Sequence, residues 1–210
     1  MTDLPARTSN PIANAEIERL LYQTSVVKLD AQGLTSTLAE EQFHWKPAPE
    51  LWSVGECFDH LNAVNRLWIA RLEEAVERGR AQGLFAQGPF VYGWFSRWLL
   101  ARMEPPAKSR FRAPSHLRPA AGRPPAEVMG EFVELHERLE RTLRAADGLD
   151  LARIRVPSPA FRWLRYGLGI SFWLLLAHDR RHIYQVRELR KMASFPRQRS
   201  EGAPETSAQV

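Results

Sequence analysis

Ser53-Val54-Gly55-Glu56-Cys57-Phe58-Asp59-His60-Leu61-Asn62-Ala63-Val64 opens the stretch that decides the fold. A serine followed three residues later by a glutamate, ahead of an apolar-periodic run, is the signature of a capping box. The hydroxyl takes a free N–H of the first turn, and the carboxylate reaches back to the serine N–H. From there Phe58, Leu61, Val64, Leu67, Trp68, Leu72 and Val76 recur at helical spacing, which predicts a helix to about Arg78 with a broad apolar face. Such a helix needs partners of the same kind.

Three further helices are written around it. Over residues of about 12–40, Ile17, Leu20, Leu21, Thr24, Val27, Ala31, Leu34 and Leu38 recur at helical spacing, and Pro47 and Pro49 interrupt the pattern. Pro124 and Pro125 open another helix, since proline is tolerated in a first turn. Its stripe is Val128, Phe132, Leu135, Leu139 and Leu143, and Asp147-Gly148 stops it. The last is expected from about Leu168 to Met192. Residues 83–123 hold many of the prolines and glycines and one short helical candidate, Phe90 to Met103, so they read as a long crossover. No convincing β alternation and no internal repeat is visible. The expected fold is all-α: a four-helix bundle whose long connection between helix 2 and helix 3 carries a short extra helix.

A chain of 210 residues with 44 % hydrophobic residues and seven tryptophans is expected to build one domain with a sizeable core. The ends are polar and aperiodic, which predicts a flexible N-terminus over 1–11, the bundle over 12–193 and a disordered C-terminal tail over 194–210. The net charge of +5 comes mainly from arginines interspersed with acids, as in Glu137-Arg138 and Glu140-Arg141, a pattern of solvated helix faces, so nucleic acid is not an expected partner. Cys57 is the only cysteine, so no disulfide forms within the chain. The N-terminus lacks a basic region followed by an apolar one, and the run Tyr166 to Ala177 is too short to span a bilayer. A cytoplasmic location with no transmembrane segment is the expectation.

The chemistry is concentrated in His178-Asp179-Arg180-Arg181-His182. On a helix the two imidazoles share one face about 6 Å apart, close enough to hold one metal ion. The row His178, His182, Gln185, Leu189 continues backward through Leu175 and Ser171, which points it at the core; His60 lies on an equally inward row of the second helix. Buried neutral imidazoles need hydrogen-bond partners or a metal. A three-histidine site leaves a coordination position open, as catalytic zinc sites do, though imidazole also suits nickel, iron and copper. Asp179 stands where a zincin carries its general-base glutamate, which excludes a metalloprotease.

Three side chains are candidates to support such a site. Cys57, near a helix N-terminus, reads as a fourth ligand, a nucleophile or a small core residue. Glu56 reads as a site contact or as the capping-box partner of Ser53, and Gln185 as an orienting group or a polar filler. Arg181 reads as an exposed charge, and His44, His116 and His136 fall outside the constellation. Trp94, Phe95 and Trp98 are expected to pack over the bundle end, in preference to forming a pocket wall or a membrane-surface or partner helix.

Trp52-Ser53-Val54-Gly55-Glu56-Cys57-Phe58-Asp59-His60-Leu61, followed more than a hundred residues later by Ala177-His178-Asp179-Arg180-Arg181-His182-Ile183-Tyr184-Gln185-Val186, resembles the DinB-like (DinB/YfiT) superfamily. Glu104-Pro105-Pro106-Ala107-Lys108 and Phe111-Arg112-Ala113-Pro114 also look like connections in one branch of it, and the resemblance covers about residues 15–192. It implies a four-helix bundle holding a divalent metal, commonly zinc or nickel, through one histidine of helix 2 and two of helix 4, which are His60, His178 and His182 here. Some members are transferases using a low-molecular-weight thiol such as bacillithiol or mycothiol, and one relative is a thiol-dependent isomerase. The resemblance therefore implies a metal-dependent thiol S-transferase acting on a small-molecule electrophile, and a possible homodimer through helix faces. Two alternatives stand beside it: a non-catalytic metal-binding or stress-associated helical module, and a metal-free helical interaction domain.

Overall fold

The computed structural model describes residues 12–106, 117–159 and 163–197. Six helices and one small hairpin follow in the order α1 (Ala15–Thr35), α2 (Glu40–His44), α3 (Val54–Ala81), α4 (Trp94–Met103), α5 (Pro125–Ala145), β1 (Arg155–Pro157), β2 (Arg165–Gly167) and α6 (Leu168–Lys191). The four long helices form the bundle: α3 packs on α5 and α6, and α1 packs on the same two. α4 lies against α6, within the crossover that links α3 to α5.

Each long helix starts for a local reason. Asn14 caps α1, its side-chain oxygen accepting from the N–H groups of Glu16 and Ile17. The Asn14 and Ala13 N–H groups in turn donate to the Asp147 carboxylate, fastening the start of α1 to the end of α5. The capping box of α3 is present in both halves, with Glu56 N–H to Ser53 Oγ at 3.1 Å and Ser53 N–H to Glu56 Oε2 at 2.9 Å. Pro124 precedes α5 and Pro125 begins it. Gly148, at φ +80°, takes the left-handed turn that ends the α5 region.

The apolar faces meet as their spacing requires. Phe58 of α3 and Phe132 of α5 make an edge-to-face contact with centroids 5.2 Å apart, an arrangement that contributes about 0.5–1.5 kcal/mol beyond area burial. Ile17, Leu20, Val27 and Ala31 of α1 and Leu174, Leu175, Leu176, Ile183 and Val186 of α6 are buried in the same core. Leu67, assigned to the buried face of α3 by periodicity, is exposed at the edge of that face.

Three local features depart from the sequence reading. The first helical pattern breaks after Thr35, and a separate short α2 follows. The hydroxyls of Thr35-Ser36-Thr37 favour this break, since such side chains compete for backbone hydrogen bonds; Thr35 Oγ1 donates back to Ala31 C=O. A two-stranded antiparallel pair, Arg155–Pro157 with Arg165–Gly167, stands where no strand is expected, because three-residue strands are too short to display an alternation. Beyond α6, Phe195 is buried against Trp45, and the Pro196 carbonyl accepts from Gln42 Nε2 at 2.7 Å. The chain expected to be loose from 194 is therefore docked on α2 through this point, and 198–210 lie outside the described residues.

α4 is the larger correction. Leu99 and Leu100 pack against the core, whereas Trp94, Phe95 and Trp98, expected to cover the bundle end, face outward. A ten-residue helix can offer the core only one narrow stripe, and here the leucines occupy it.

Candidate metal centre

α3 delivers His60 and α6 delivers His178 and His182 to one place. One ring nitrogen of each lies within 4.8 Å of the others. The ring centroids are 5.3 Å apart for His60 and His178, 4.8 Å for His60 and His182, and 4.7 Å for His178 and His182. Two of the three rings have an assigned tautomer. The Leu117 carbonyl lies 2.6 Å from His60 Nδ1; a carbonyl only accepts, so Nδ1 carries the proton and Nε2 keeps a lone pair. Gln185 Oε1 does the same for His182 Nδ1 at 3.2 Å.

Burial keeps these imidazoles neutral. It lowers the pKa of His60 and pushes His178 well below the usual histidine range, where His182 and His60 add to the effect. His182 is pushed down to about 3, first by burial, then by His60 and Arg181. A neutral imidazole is the form that ligates a metal.

The residues fit a cation. His178 Nδ1 is buried with no hydrogen-bond partner, a desolvated polar atom of the kind that native proteins leave only with a reason. Imidazole–zinc bonds of about 2.0–2.1 Å place tetrahedral donors roughly 3.4 Å apart, so rings whose nitrogens lie within 4.8 Å need only a modest closing rotation to share an ion.

A fourth ring completes the surroundings. Trp52 packs against His60 at 4.8 Å and stacks on His182 at 5.8 Å with planes 27° apart, walling one side of the cluster. In the sequence Trp52 stands out only as part of a motif, although its place immediately before the Ser53 cap keeps it near the start of the helix that carries His60. The far end of the crossover forms another wall. Ala120 N–H donates to Asp59 Oδ2 at 2.7 Å, and Arg123 Nη1 to Asp59 Oδ1 at 2.6 Å, holding Leu117 over His60.

The supporting candidates divide. Gln185 is in place on His182. Glu56 is engaged elsewhere: one oxygen closes the capping box, and the other accepts from Lys46 Nζ at 3.0 Å. Cys57 is fully buried, and desolvation, followed by the Glu56 carboxylate, raises its pKa above the ordinary thiol range, so it is a neutral core group and not a stabilised thiolate. Helix-terminus stabilisation is a weaker effect than full burial here. Arg181 is half-buried, not exposed, and near enough to His178 and His182 to depress both; Arg102 of α4 lies close enough to lower Arg181 in turn, after burial.

His136, outside the constellation in the sequence, is buried and contacts Asp179, the residue after His178. Its Nε2 lies 3.2 Å from Asp179 Oδ2 and its Nδ1 2.8 Å from the Phe132 carbonyl, while Asp179 Oδ1 accepts from Asn65 Nδ2 at 3.0 Å. The network links α3, α5 and α6. Its signal in the sequence is the i, i+4 spacing of His136 from the core residue Phe132. His44 stacks edge-on with Phe43 away from the cluster, and His116 lies outside the described residues.

The depressed histidines give a pH expectation for chelator-treated protein. The unfolded chain takes up protons near pH 6.5, the folded one below that, well below for His178 and near pH 3 for His182. Stability is therefore fully present above about pH 6.5 and declines as pH falls toward the folded values, by up to about 1.4 kcal/mol per unit for each histidine. Urea titrations of the metal-free chain between about pH 7.5 and pH 5 check this, with a shallower decline expected for His182→Gln. A flat profile would contradict the assigned neutral burial.

The profile of the family described as the DinB superfamily matches residues 28–186. The chain is 25 % identical over 158 residues to YuaE of Bacillus subtilis (strain 168), an uncharacterized protein, with 73 % of this chain and 86 % of YuaE covered. No solved structure matches.

Proposed function

The chain belongs to the DinB superfamily, and from that premise we propose that His60, His178 and His182 hold a divalent metal, zinc or nickel, in a site that activates a small thiol for transfer to an electrophile. The observation that carries the reading is the convergence of three neutral imidazoles, one of them with a buried and unpartnered nitrogen. The metal, when bound, would supply Lewis acidity that lowers the pKa of an incoming thiol and leave a position open for it.

The chain's own residues account for the rest. The Leu117 carbonyl and Gln185 hold the Nδ1 protons of His60 and His182 and so present both Nε2 lone pairs inward. Trp52 excludes water from one flank and fixes two ring planes. Arg181, with Arg102 beyond it, places positive charge at the rim, which favours an anionic ligand such as a thiolate.

A cobalt-loaded sample tests the open position. Addition of a low-molecular-weight thiol is expected to intensify and shift the visible absorption of bound cobalt, and azide to perturb it as well. A cobalt spectrum that neither ligand changes would overturn the transferase reading and leave a closed, sequestering metal module, the alternative favoured by the Trp52 wall.

A further inference from the structure

We propose that the outward face of α4 is a docking surface for an anionic lipid bilayer. Trp94 is 74 % exposed, Phe95 41 % and Trp98 54 %, and Val91, just before the helix, is 84 % exposed. The three rings are contiguous: Trp94 and Phe95 lie 6.0 Å apart edge-on, and Phe95 and Trp98 6.0 Å apart with planes at 27°. Scattered exposed apolar residues need no explanation, but an aromatic ridge on one short helix does.

The ridge is held in place. Before α4, Tyr92 Oη donates to Glu16 Oε1 at 2.8 Å and rests on Gly169, where a Cβ would stand 1.8 Å from that oxygen. After α4, both Glu104 oxygens take the Arg180 guanidinium, whose Nε lies 2.9 Å from Oε2. Between these clamps Leu99 and Leu100 face the core. The aromatic face is thus presented by a fixed element, one bonded contact from the segment carrying His178 and His182.

Charge and area choose the occupant. Residues 89–103 contain no acid, and Arg97 is exposed beside the rings, in a chain of net charge +5, which complements an anionic surface. Indole and phenyl rings partition to the membrane interface individually, with arginine reaching back to the headgroups. A second protein copy is the poorer match. Aromatic side chains offer roughly 150–250 Å² each, so this partly exposed trio supplies only a few hundred Å², against the roughly 800 Å² per partner of a stable interface. A ten-residue helix is also a convex ridge, without the groove that a partner helix would fill. Among the described residues no helix is long and apolar enough to cross a membrane, so the association would be peripheral.

Co-sedimentation of the full chain with vesicles tests this, using phosphatidylcholine containing about 30 % phosphatidylserine and, separately, phosphatidylcholine alone. The parent is expected to pellet with the anionic vesicles, at least about fivefold less with the neutral ones, and less as salt is raised. The double variant Trp94→Ser, Trp98→Ser should bind at least about tenfold more weakly with unchanged circular dichroism and metal content, since both side chains point to solvent. A parent that stays in the supernatant with both vesicles, or a double variant that binds like the parent, overturns the proposal. So does a parent dimer in sedimentation equilibrium that the double variant dissociates, because a second copy would then be what covers the face.

Discussion

Replacing His178 with alanine is expected to remove at least nine-tenths of the divalent metal that purified parent protein carries, as counted by elemental mass spectrometry, while far-UV circular dichroism stays unchanged. Groups that merely orient a metal ligand contribute about 10–100-fold in affinity, and a direct donor contributes more. His178 has no competing role among the described residues: its Nδ1 is buried without a partner, so the metal-free protein loses no hydrogen bond there when the ring is removed. It sits in the middle of α6, where alanine is the best helix former. Retained metal at parental stoichiometry in His178→Ala would remove the histidine cluster from the mechanism. Gln185→Ala is the graded comparison, since it frees the His182 Nδ1 proton from its acceptor but keeps all three donors; a loss in affinity of about 10–100-fold, not abolition, is expected.

How much of that site is legible in the sequence depends on the kind of signal each residue leaves. The bundle is legible because it rests on local rules repeated four times. The Ser53–Glu56 box, the Pro124-Pro125 start and the α5 stripe each fix an element without reference to the rest of the chain, and the structure keeps all of them. His178 and His182 are legible for the same reason, as an i, i+4 pair on an inward row. Trp52, Asp179 and His136 are not, because their roles come from other elements. Trp52 gains its meaning from His182 on α6, and Asp179 from Asn65 on α3 and His136 on α5. Cys57 misleads in the opposite direction, since its position near a helix start is local while the burial that governs its thiol is tertiary. α4 shows the same limit: periodicity finds the helix but not which side of it the bundle takes.

The largest stability loss is expected at Asp179. The residue is fully buried, with Asn65 Nδ2 3.0 Å from one carboxylate oxygen and His136 Nε2 3.2 Å from the other. His136 Nδ1 faces the Phe132 carbonyl, which only accepts, so that nitrogen carries a proton. The contact between Nε2 and Asp179 then requires one further proton between them, and the pair is neutral as a unit in either arrangement. Alanine at 179 leaves Asn65 Nδ2 and His136 Nε2 facing an apolar void, and breaking a buried pair from one side costs about 3–5 kcal/mol. Asp179→Asn keeps an acceptor for Asn65 and a donor for a neutral imidazole, so a loss of only about 1–2 kcal/mol is expected. The informative variant removes both partners. Asp179→Leu with His136→Phe should be more stable than the sum of its single variants by at least about 1 kcal/mol, because neither member of the His136–Asp179 pair then strands the other. The acceptor lost by Asn65 Nδ2 is common to both Asp179→Leu proteins and cancels in the cycle. Urea denaturation of the four proteins in that cycle measures the coupling. Additive losses, or an Asp179→Ala variant within about 1 kcal/mol of the parent, would show that this network adds nothing to the packing of the three helices, and that α6 keeps His178 and His182 in register without it.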